Sequence, residues 1–137
     1  MAPAIRRLVS KSTDIDTEGG PSPDGRLVTQ TDWSTGDLAV RDFAGDTIRR
    51  LTSKGSWEAS EEFAQASSIS PDGKSVVFGW YSSKTNNFEL RIMPINGADS
   101  GKVRTLHASP EMAYVAPQSW TPDSRNVVAV VYQQDQT

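Results

Sequence analysis

The chain has 137 residues, of which 36% are apolar and 23% are charged, and its formal net charge is −3. These values are typical of one ordinary globular domain and exclude a disordered tail. The acidic balance offers no basic surface for a nucleic-acid backbone, so no nucleic-acid partner is expected. No stretch approaches the roughly 18 apolar residues of a membrane span. The sequence has no cysteine, which excludes disulfides and thiolate metal sites.

The first predicted element is a short strand in the sequence IRRLVSK. This sequence returns as IRRLTSK at 48–54 and, more weakly, as VRTLHAS at 103–109. A second landmark, S-P-D-G, occurs twice and is followed by a third copy, T-P-D-S. The prolines of the three copies are 48 and 51 residues apart, a period that is typical of propeller blades.

Each of these tetrapeptides predicts a type I turn, in which proline presets φ and the final glycine accepts a left-handed backbone. The turn aspartates are expected to bind the local backbone, which explains their recurrence better than catalysis does. Ser124 stands where the third turn glycine belongs, at an expected cost of about 1 kcal/mol. The residues assigned to structural turns are Pro23, Asp24, Gly25, Pro71, Asp72, Gly73, Pro122 and Asp123.

Strand-forming runs follow the turns. RLVTQTDW and KSVVFGWY are rich in β-branched and aromatic residues, and DLAVRDF and FELRIMPI alternate apolar with polar residues. With the I-R-R-L strand, each unit has four short antiparallel strands. No helix of ten residues is predicted. The fold class is therefore all-β, a β-propeller fragment with two full four-stranded antiparallel blades and partial blades at both ends.

The predicted division assigns all of 1–137 to a partial propeller. It consists of a closing strand at about 4–10, a blade at 18–52, a second blade at 65–108 and a half blade at 116–133. Fewer than three blades indicate a segment of a larger protein. Because each end lacks strands that the other end offers, two copies are expected to join head to tail as a homodimer.

The phrases PSPDGRLVTQTDWSTGDLAVRDFAGDTIRRLT and ISPDGKSVVFGWY resemble the blade repeats of TolB-like β-propellers. This group also includes the propellers attached to prolyl-oligopeptidase and tricorn-type peptidases. The resemblance covers most of the chain and implies a ring of blades around a central channel, usually six or seven. It does not imply one chemistry, because a fold alone does not fix function.

Catalytic and metal chemistry is not indicated. The only histidine is His107, and no G-x-S-x-G elbow occurs, so no catalytic residue is assigned. Asp14, Asp16 and Glu18 begin like a calcium loop, but its twelfth position is Gly25 instead of a bidentate glutamate. We therefore predict no metal site and no cofactor.

The connections between strands alternate between two ends of a blade. The S-P-D-G turns and the Gly turns, such as STGD at 34–37, are expected to share one end. The longer connections, SKGSWEASEEFA, SSKTNN and HASPEMAYVA, are expected at the opposite end, and loops on a rigid scaffold commonly carry binding. Trp57 has two roles open to it, packing between blades or binding. The residues predicted to bind a partner at this end are Trp57, Glu61, Glu62, Phe63, Glu111, Met112 and Tyr114.

The sequence thus predicts a non-catalytic β-propeller scaffold for a protein or peptide partner. An alternative is part of the substrate-gating propeller of a serine peptidase, whose hydrolase domain would lie outside this chain; a G-x-S-x-G elbow beyond Thr137 would favour it. A third alternative, a periplasmic TolB-like factor, requires a signal peptide upstream of Met1. The first residues lack the apolar centre of such a signal, so the sequence does not fix the localisation.

Overall fold

The computed structural model describes residues 18–96 and 102–134, and its regular elements there are all β-strands. They form three antiparallel sheets that follow one another along the chain, with the orders β1-β2-β3, β4-β5-β6-β7 and β8-β9. The all-β prediction is confirmed. The strands are β1 (Leu27–Asp32), β2 (Asp37–Asp42), β3 (Thr47–Arg50), β4 (Phe63–Ile69), β5 (Ser75–Ser82), β6 (Asn87–Pro94), β7 (Arg104–Ala108), β8 (Met112–Trp120) and β9 (Val127–Gln133).

In the middle sheet, β4 to β7, strand β5 is buried on both faces. Along β5, Phe78 and Trp80 lie in a cluster shared with the first sheet, whereas Val77 lies in a cluster shared with the third. A strand that is covered on both faces has a continuous run of apolar residues and does not alternate apolar with polar ones, which explains the sequence SVVFGWY. Gly79 has no room for a side chain, because a Cβ there would lie 2.8 Å from the carbonyl oxygens of Gln65 and Val115.

The first sheet differs from the expected four strands. Its first strand is reduced, among the residues described, to an isolated bridge between Pro21 and Val28, supported by hydrogen bonds from Thr29 N–H to Gly20 O and from Ser22 N–H to Leu27 O. Proline has no N–H to donate to a ladder, and two prolines fall within this short segment. The predicted closing strand at 4–10 lies outside the described residues.

Two strands begin earlier than the predicted blade boundaries. β4 starts at Phe63, and β8 starts at Met112, so the connections before them are shorter than expected. Phe63, Met112 and Tyr114 consequently lie in strands and not in loops. The division of the whole chain into blades stays a prediction.

Strand β4 is joined to β1 and to β8 by side-chain hydrogen bonds. Thr31 Oγ1 donates to Ala64 O at 2.8 Å, and Ser67 Oγ donates to Thr29 Oγ1 at 2.8 Å. Trp120 Nε1 donates to Ser68 O at 3.2 Å, which links the third sheet to the second. Buried donors and acceptors are thereby paired across both sheet boundaries.

The three turns share one hydrogen-bond arrangement. In the second, Ser70 Oγ donates to Asp72 Oδ1 at 2.5 Å, Lys74 N–H donates to the same oxygen at 3.0 Å, and Ser75 N–H donates to Ser70 Oγ at 3.0 Å. Equivalent bonds occur in the first and third turns. The residue at the fourth position has a positive φ each time: 70° at Gly25, 73° at Gly73 and 61° at Ser124.

Candidate functional site

A band of aromatic rings crosses all three sheets at the end of the molecule that carries the long connections. Neighbouring ring centroids lie 5.1 to 6.5 Å apart. Such distances suit edge-to-face and offset aromatic attraction. The rings of this aromatic band belong to Trp57, Trp33, Phe63, Tyr81, Phe88, Tyr114 and Tyr132.

Part of the aromatic band recurs with the sheets. Phe63 and Tyr81 are cross-strand partners in the middle sheet, and Tyr114 and Tyr132 are the corresponding partners in the third. A pair that returns at the same place in successive sheets serves their packing, since cross-strand aromatic pairs stabilise a sheet wherever they occur. A unique function is better sought in features of this end that do not recur.

Trp57 is such a feature, since it lies in the connection from the first sheet to the second. Its ring is parallel to that of Trp33, with centroids 6.5 Å apart and planes 4° apart, and its Nε1 donates to Trp33 O at 3.1 Å. The ammonium of Lys54 lies 4.2 Å from the Trp57 ring centroid, within the range of cation–π attraction. Trp57 is half-buried, so it both packs between sheets and presents a surface.

The connection is anchored at its start by Asp37, whose side chain is buried. Its Oδ1 accepts hydrogen bonds from Thr52 Oγ1 at 2.6 Å and from Lys54 N–H at 2.9 Å. Gly36, the residue before Asp37, has φ +85°. A Cβ at Gly36 would come within 2.9 Å of Trp57 and Phe63 and 2.8 Å of Lys54. The absence of a side chain at this turn therefore allows Trp57 to close over the sheet boundary.

Beside Trp57 lies an acidic cleft of ≈ 610 Å³, which Ser83 and Lys84 border from the β5–β6 turn. Its three carboxylates outnumber its single lysine. The pKa of Glu58 is lowered, first by a hydrogen bond from its own backbone N–H and then by the Ser56 hydroxyl and the Lys54 charge. Glu62 is close to Ser82, whose Oγ lies 3.5 Å from Glu62 Oε1. The acidic side chains are Glu58, Glu61 and Glu62.

A second cleft, of ≈ 410 Å³, lies on the other side of the same turn, between Thr85 and the connection from β7 to β8. Its lining is mostly apolar, with Phe88, Ala108 and Pro110. Its one acidic residue, Glu89, is paired with Arg91 at 2.8 Å. This apolar cleft therefore lacks the uncompensated negative charge of the acidic cleft.

The predicted binding residues are placed as follows. Trp57, Phe63 and Tyr114 belong to the aromatic band, and Glu61 and Glu62 line the acidic cleft. Glu111 is exposed, in the connection before β8. Met112 is 1% exposed and packs in the core between the second and third sheets, so its side chain is not available to a partner in this structure.

The turn residues lie at the opposite end. The pKa values of Asp24, Asp72 and Asp123 are all lowered, first by the side-chain hydroxyl of the turn's first residue and then by the backbone N–H two positions after the aspartate. This local bonding accounts for the three recurring carboxylates. His107 lies apart from them on the exposed strand β7, opposite Leu90.

A third cleft, of ≈ 440 Å³, is formed where the leading segments of the three sheets converge. Ala66 lies there in a β-bulge of β4, with φ 47°. Backbone and small side chains make up much of its wall, with the hydroxyls of Ser67 and Ser68 and the amide of Gln118. Within 18–96 and 102–134, no three His, Cys, Asp or Glu side chains are grouped to hold a metal ion.

Solved structures are similar to this chain in fold. TolB from Acinetobacter baumannii aligns with 89% of this chain at 28% identity and a TM-score of 0.62, and a protein assigned as TolB from Agrobacterium tumefaciens aligns with 85% at 21% identity and a TM-score of 0.55. The chain has a TolB-like β-propeller fold. The resemblance predicted from the S-P-D-G repeats is confirmed, although no protein-family model matches the chain and no curated protein matches it.

The TolB-like chain spans 28% and 42% of the lengths of those two proteins. In the part of it that the structure describes, no helix is long and apolar enough to cross a membrane. One prediction about its loops is wrong: the STGD turn does not share an end with the S-P-D-G turns. It connects β1 to β2 at the same end as Trp57, as the contacts of Gly36 show.

Sequence reasoning missed four members of the aromatic band: Trp33, Tyr81, Phe88 and Tyr132. A signal was present for three of them. Trp33, Tyr81 and Tyr132 each stand ten residues after a turn proline. Aligning the TolB-like repeats on their prolines reveals this aromatic position. Phe88 has no such landmark and joins the aromatic band through its pairing with Tyr81.

Proposed function

We propose that this chain is a non-catalytic β-propeller scaffold that binds a protein or peptide partner at the end carrying the aromatic band. The observation that carries the proposal is the non-recurring part of that end. Trp57 and the carboxylates beside it occur once, although the blades repeat. A feature that departs from a structural repeat at one place is explained by a role that the other repeats do not share.

The exposure of the rings supports the same proposal. Trp33 is 49% exposed and Tyr132 is 59% exposed, at opposite ends of the aromatic band. Large aromatic side chains are enriched in the centres of protein interfaces, because they bury much apolar area at little cost in rotamer entropy. Two clefts adjoin the aromatic band and provide concave surface for side chains of a partner.

A peptide-display selection against the purified chain tests this proposal. Enriched peptides are synthesised and titrated against the wild type, Trp33→Ser and Phe43→Ser. Phe43 follows β2 near Arg26, at the end of the S-P-D-G turns, and provides a matched aromatic control. Thermal unfolding of each variant verifies that it is folded. We expect Trp33→Ser to weaken binding about tenfold or more and Phe43→Ser to leave it unchanged.

Binding that depends on Phe43 but not on Trp33 would overturn the proposal, as would a selection that enriches no peptide. The non-catalytic part has its own test. The purified chain is incubated with peptide and ester substrates, and no turnover is expected, because His107 lies isolated on an exposed strand. Reproducible hydrolysis that disappears when one serine is replaced would contradict it.

A further inference from the structure

We propose that the partner segment is basic, and that it places an apolar side chain in the apolar cleft and a lysine or arginine side chain in the acidic cleft. The β5–β6 turn, 83–86, separates the two clefts. This inference rests on the proposed function and adds the chemistry of the ligand. It commits to a cationic peptide, because charge complementarity favours that occupant over neutral and acidic ones.

The acidic cleft supplies the charge complementarity. Glu58, Glu61 and Glu62 line the cleft with one lysine, Lys84. A second lysine, Lys54, lies against Trp57 and acts on Glu58, so the carboxylates still outnumber the cations. Glu58 and Glu61 are exposed, so water and salt partly screen the attraction between each carboxylate and a cationic ligand. Three carboxylates around one cleft are expected to act together on a guanidinium or ammonium group that enters it.

Aromatic rings beside the carboxylates favour the same group. The protein's own Lys54 places its ammonium 4.2 Å from the Trp57 ring centroid, so a cation already lies against this end of the aromatic band. Trp33, stacked on Trp57, is about half exposed. Arginine is favoured over lysine, because its planar guanidinium stacks on an aromatic ring while it donates to carboxylates.

The apolar cleft supplies the second contact. Phe88 belongs to the aromatic band and also lines this cleft with Ala108 and Pro110. The Glu89 carboxylate is already paired with Arg91. An apolar side chain would therefore be buried there without desolvating an unpaired charge. A peptide that carries both an apolar and a cationic side chain spans the β5–β6 turn and contacts both clefts. A peptide with only one of these side chains contacts one cleft.

Four synthetic peptides test the inference. They share one flexible Gly/Ser sequence with a phenylalanine and an arginine at fixed positions, and the other three replace the arginine by glutamine, the arginine by glutamate, or the phenylalanine by serine. The spacing of the two positions is first optimised with the parent peptide. Affinity is measured by tryptophan fluorescence, at low and at high salt. We expect the arginine peptide to bind about tenfold more tightly than the glutamine peptide, and the glutamate peptide to bind least.

Charge variants locate the effect. Glu61→Gln combined with Glu62→Gln is expected to weaken the arginine peptide about three- to tenfold and to leave the glutamine peptide unchanged. Lys84→Gln is expected to strengthen the arginine peptide about two- to threefold, since it removes a like charge from the cleft. Lys74→Gln makes the same change in charge beside the second turn, at the opposite end, and is expected to have no effect.

Equal affinity of the arginine and glutamine peptides would overturn the inference, and so would equal effects of Lys84→Gln and Lys74→Gln. If the peptide in which serine replaces phenylalanine fails to bind, and replacing the arginine makes no difference, the partner is apolar. The proposed function would then stand and this inference would fail. Binding of the arginine peptide that does not respond to Trp33→Ser would contradict both.

Discussion

The hydroxyl oxygen of Ser124 accepts a hydrogen bond from the backbone N–H of Asp72 at 3.1 Å, and this bond joins the third turn to the second. Ser124 stands where the first two turns have glycine, and its φ is 61°. The serine therefore combines a backbone conformation that disfavours side chains with a contact that only a side chain can make.

Two substitutions separate these contributions. Ser124→Ala keeps the unfavourable φ and loses the bond, so we expect the free energy of unfolding to fall by about 1 kcal/mol. Ser124→Gly loses the same bond but relieves the backbone by about 1 kcal/mol, so its stability should stay close to that of the wild type. Urea denaturation of both variants measures the difference. Equal destabilisation by alanine and glycine would contradict this explanation.

Gly73 isolates the cost of the backbone conformation. Its φ is +73°, and no atom lies within 4 Å of the position that a Cβ would occupy. A Cβ at this position therefore meets no clash, and for Gly73→Val a loss of about 1 kcal/mol or more is expected from the left-handed backbone. Gly73→Asn should lose less, because asparagine tolerates this conformation. An unchanged melting temperature of the valine variant would mean that the turn is misplaced.

Gly36 tests the packing beneath Trp57. A methyl group there meets Lys54, Phe63 and Trp57 at less than 3.0 Å while φ is +85°. We expect Gly36→Ala to destabilise by about 2 kcal/mol, from strain and overpacking together, and to shift tryptophan emission towards that of exposed indole. Gly25→Ala is the matched control, because Gly25 has φ +70° and no atom within 4 Å of its Cβ position. A normal emission spectrum for Gly36→Ala would contradict the packing described.

The turn aspartates predict a dependence of stability on pH. The pKa of Asp72 is lowered in the folded protein, first by the Ser70 hydroxyl and then by Lys74 N–H. A lowered folded pKa stabilises the fold above the ordinary aspartate pKa, and the stabilisation is lost as pH falls through the folded value, below about pH 4. Asp72→Asn should therefore be less stable than the wild type at neutral pH, and the difference should shrink in acid. A difference that is independent of pH would contradict this assignment.

Strand β9 predicts self-association. Val128, Val130 and Tyr132 alternate along it and are 41% to 59% exposed, an unusual concentration of apolar surface on one strand. Light scattering at several concentrations should detect a dimer of about twice 14.9 kDa, and Val130→Lys should shift it towards monomer. A wild type that stays monomeric at all concentrations would contradict the predicted homodimer, and polydisperse aggregates would show sticky edges without a defined dimer.

The parts of the fold that could be predicted are those determined by neighbouring residues. The turns follow from proline and glycine at fixed positions, and β5 follows from a run of apolar residues that precedes Ser82. The start of β4 could not be predicted, because Phe63 follows a polar segment and its strand pairing with Tyr81 depends on a distant residue.

The candidate site could be predicted only in part, because some of its features depend on neighbouring residues and others on distant ones. Trp57 and the nearby glutamates stand out in a long connection, whereas the burial of Met112 depends on packing between two sheets. The aromatic band joins residues far apart in sequence, such as Trp33 and Phe63, so no local pattern describes it. The anchoring of the connection by Asp37 likewise depends on a side-chain contact, with Thr52, that spans 15 residues.

The side-chain hydrogen bonds of β4 with β1 and β8 have a consequence for the order of folding. Within each sheet, successive strands pair as hairpins, which close over short distances along the chain. The bonds between sheets join residues 33, 38 and 52 positions apart. Closing the longer loops costs more chain entropy, so the hairpins are expected to form first and to dock through these bonds later. Because these bonds form after the hairpins, substitutions at Thr31 or Ser67 should speed unfolding more than they slow refolding.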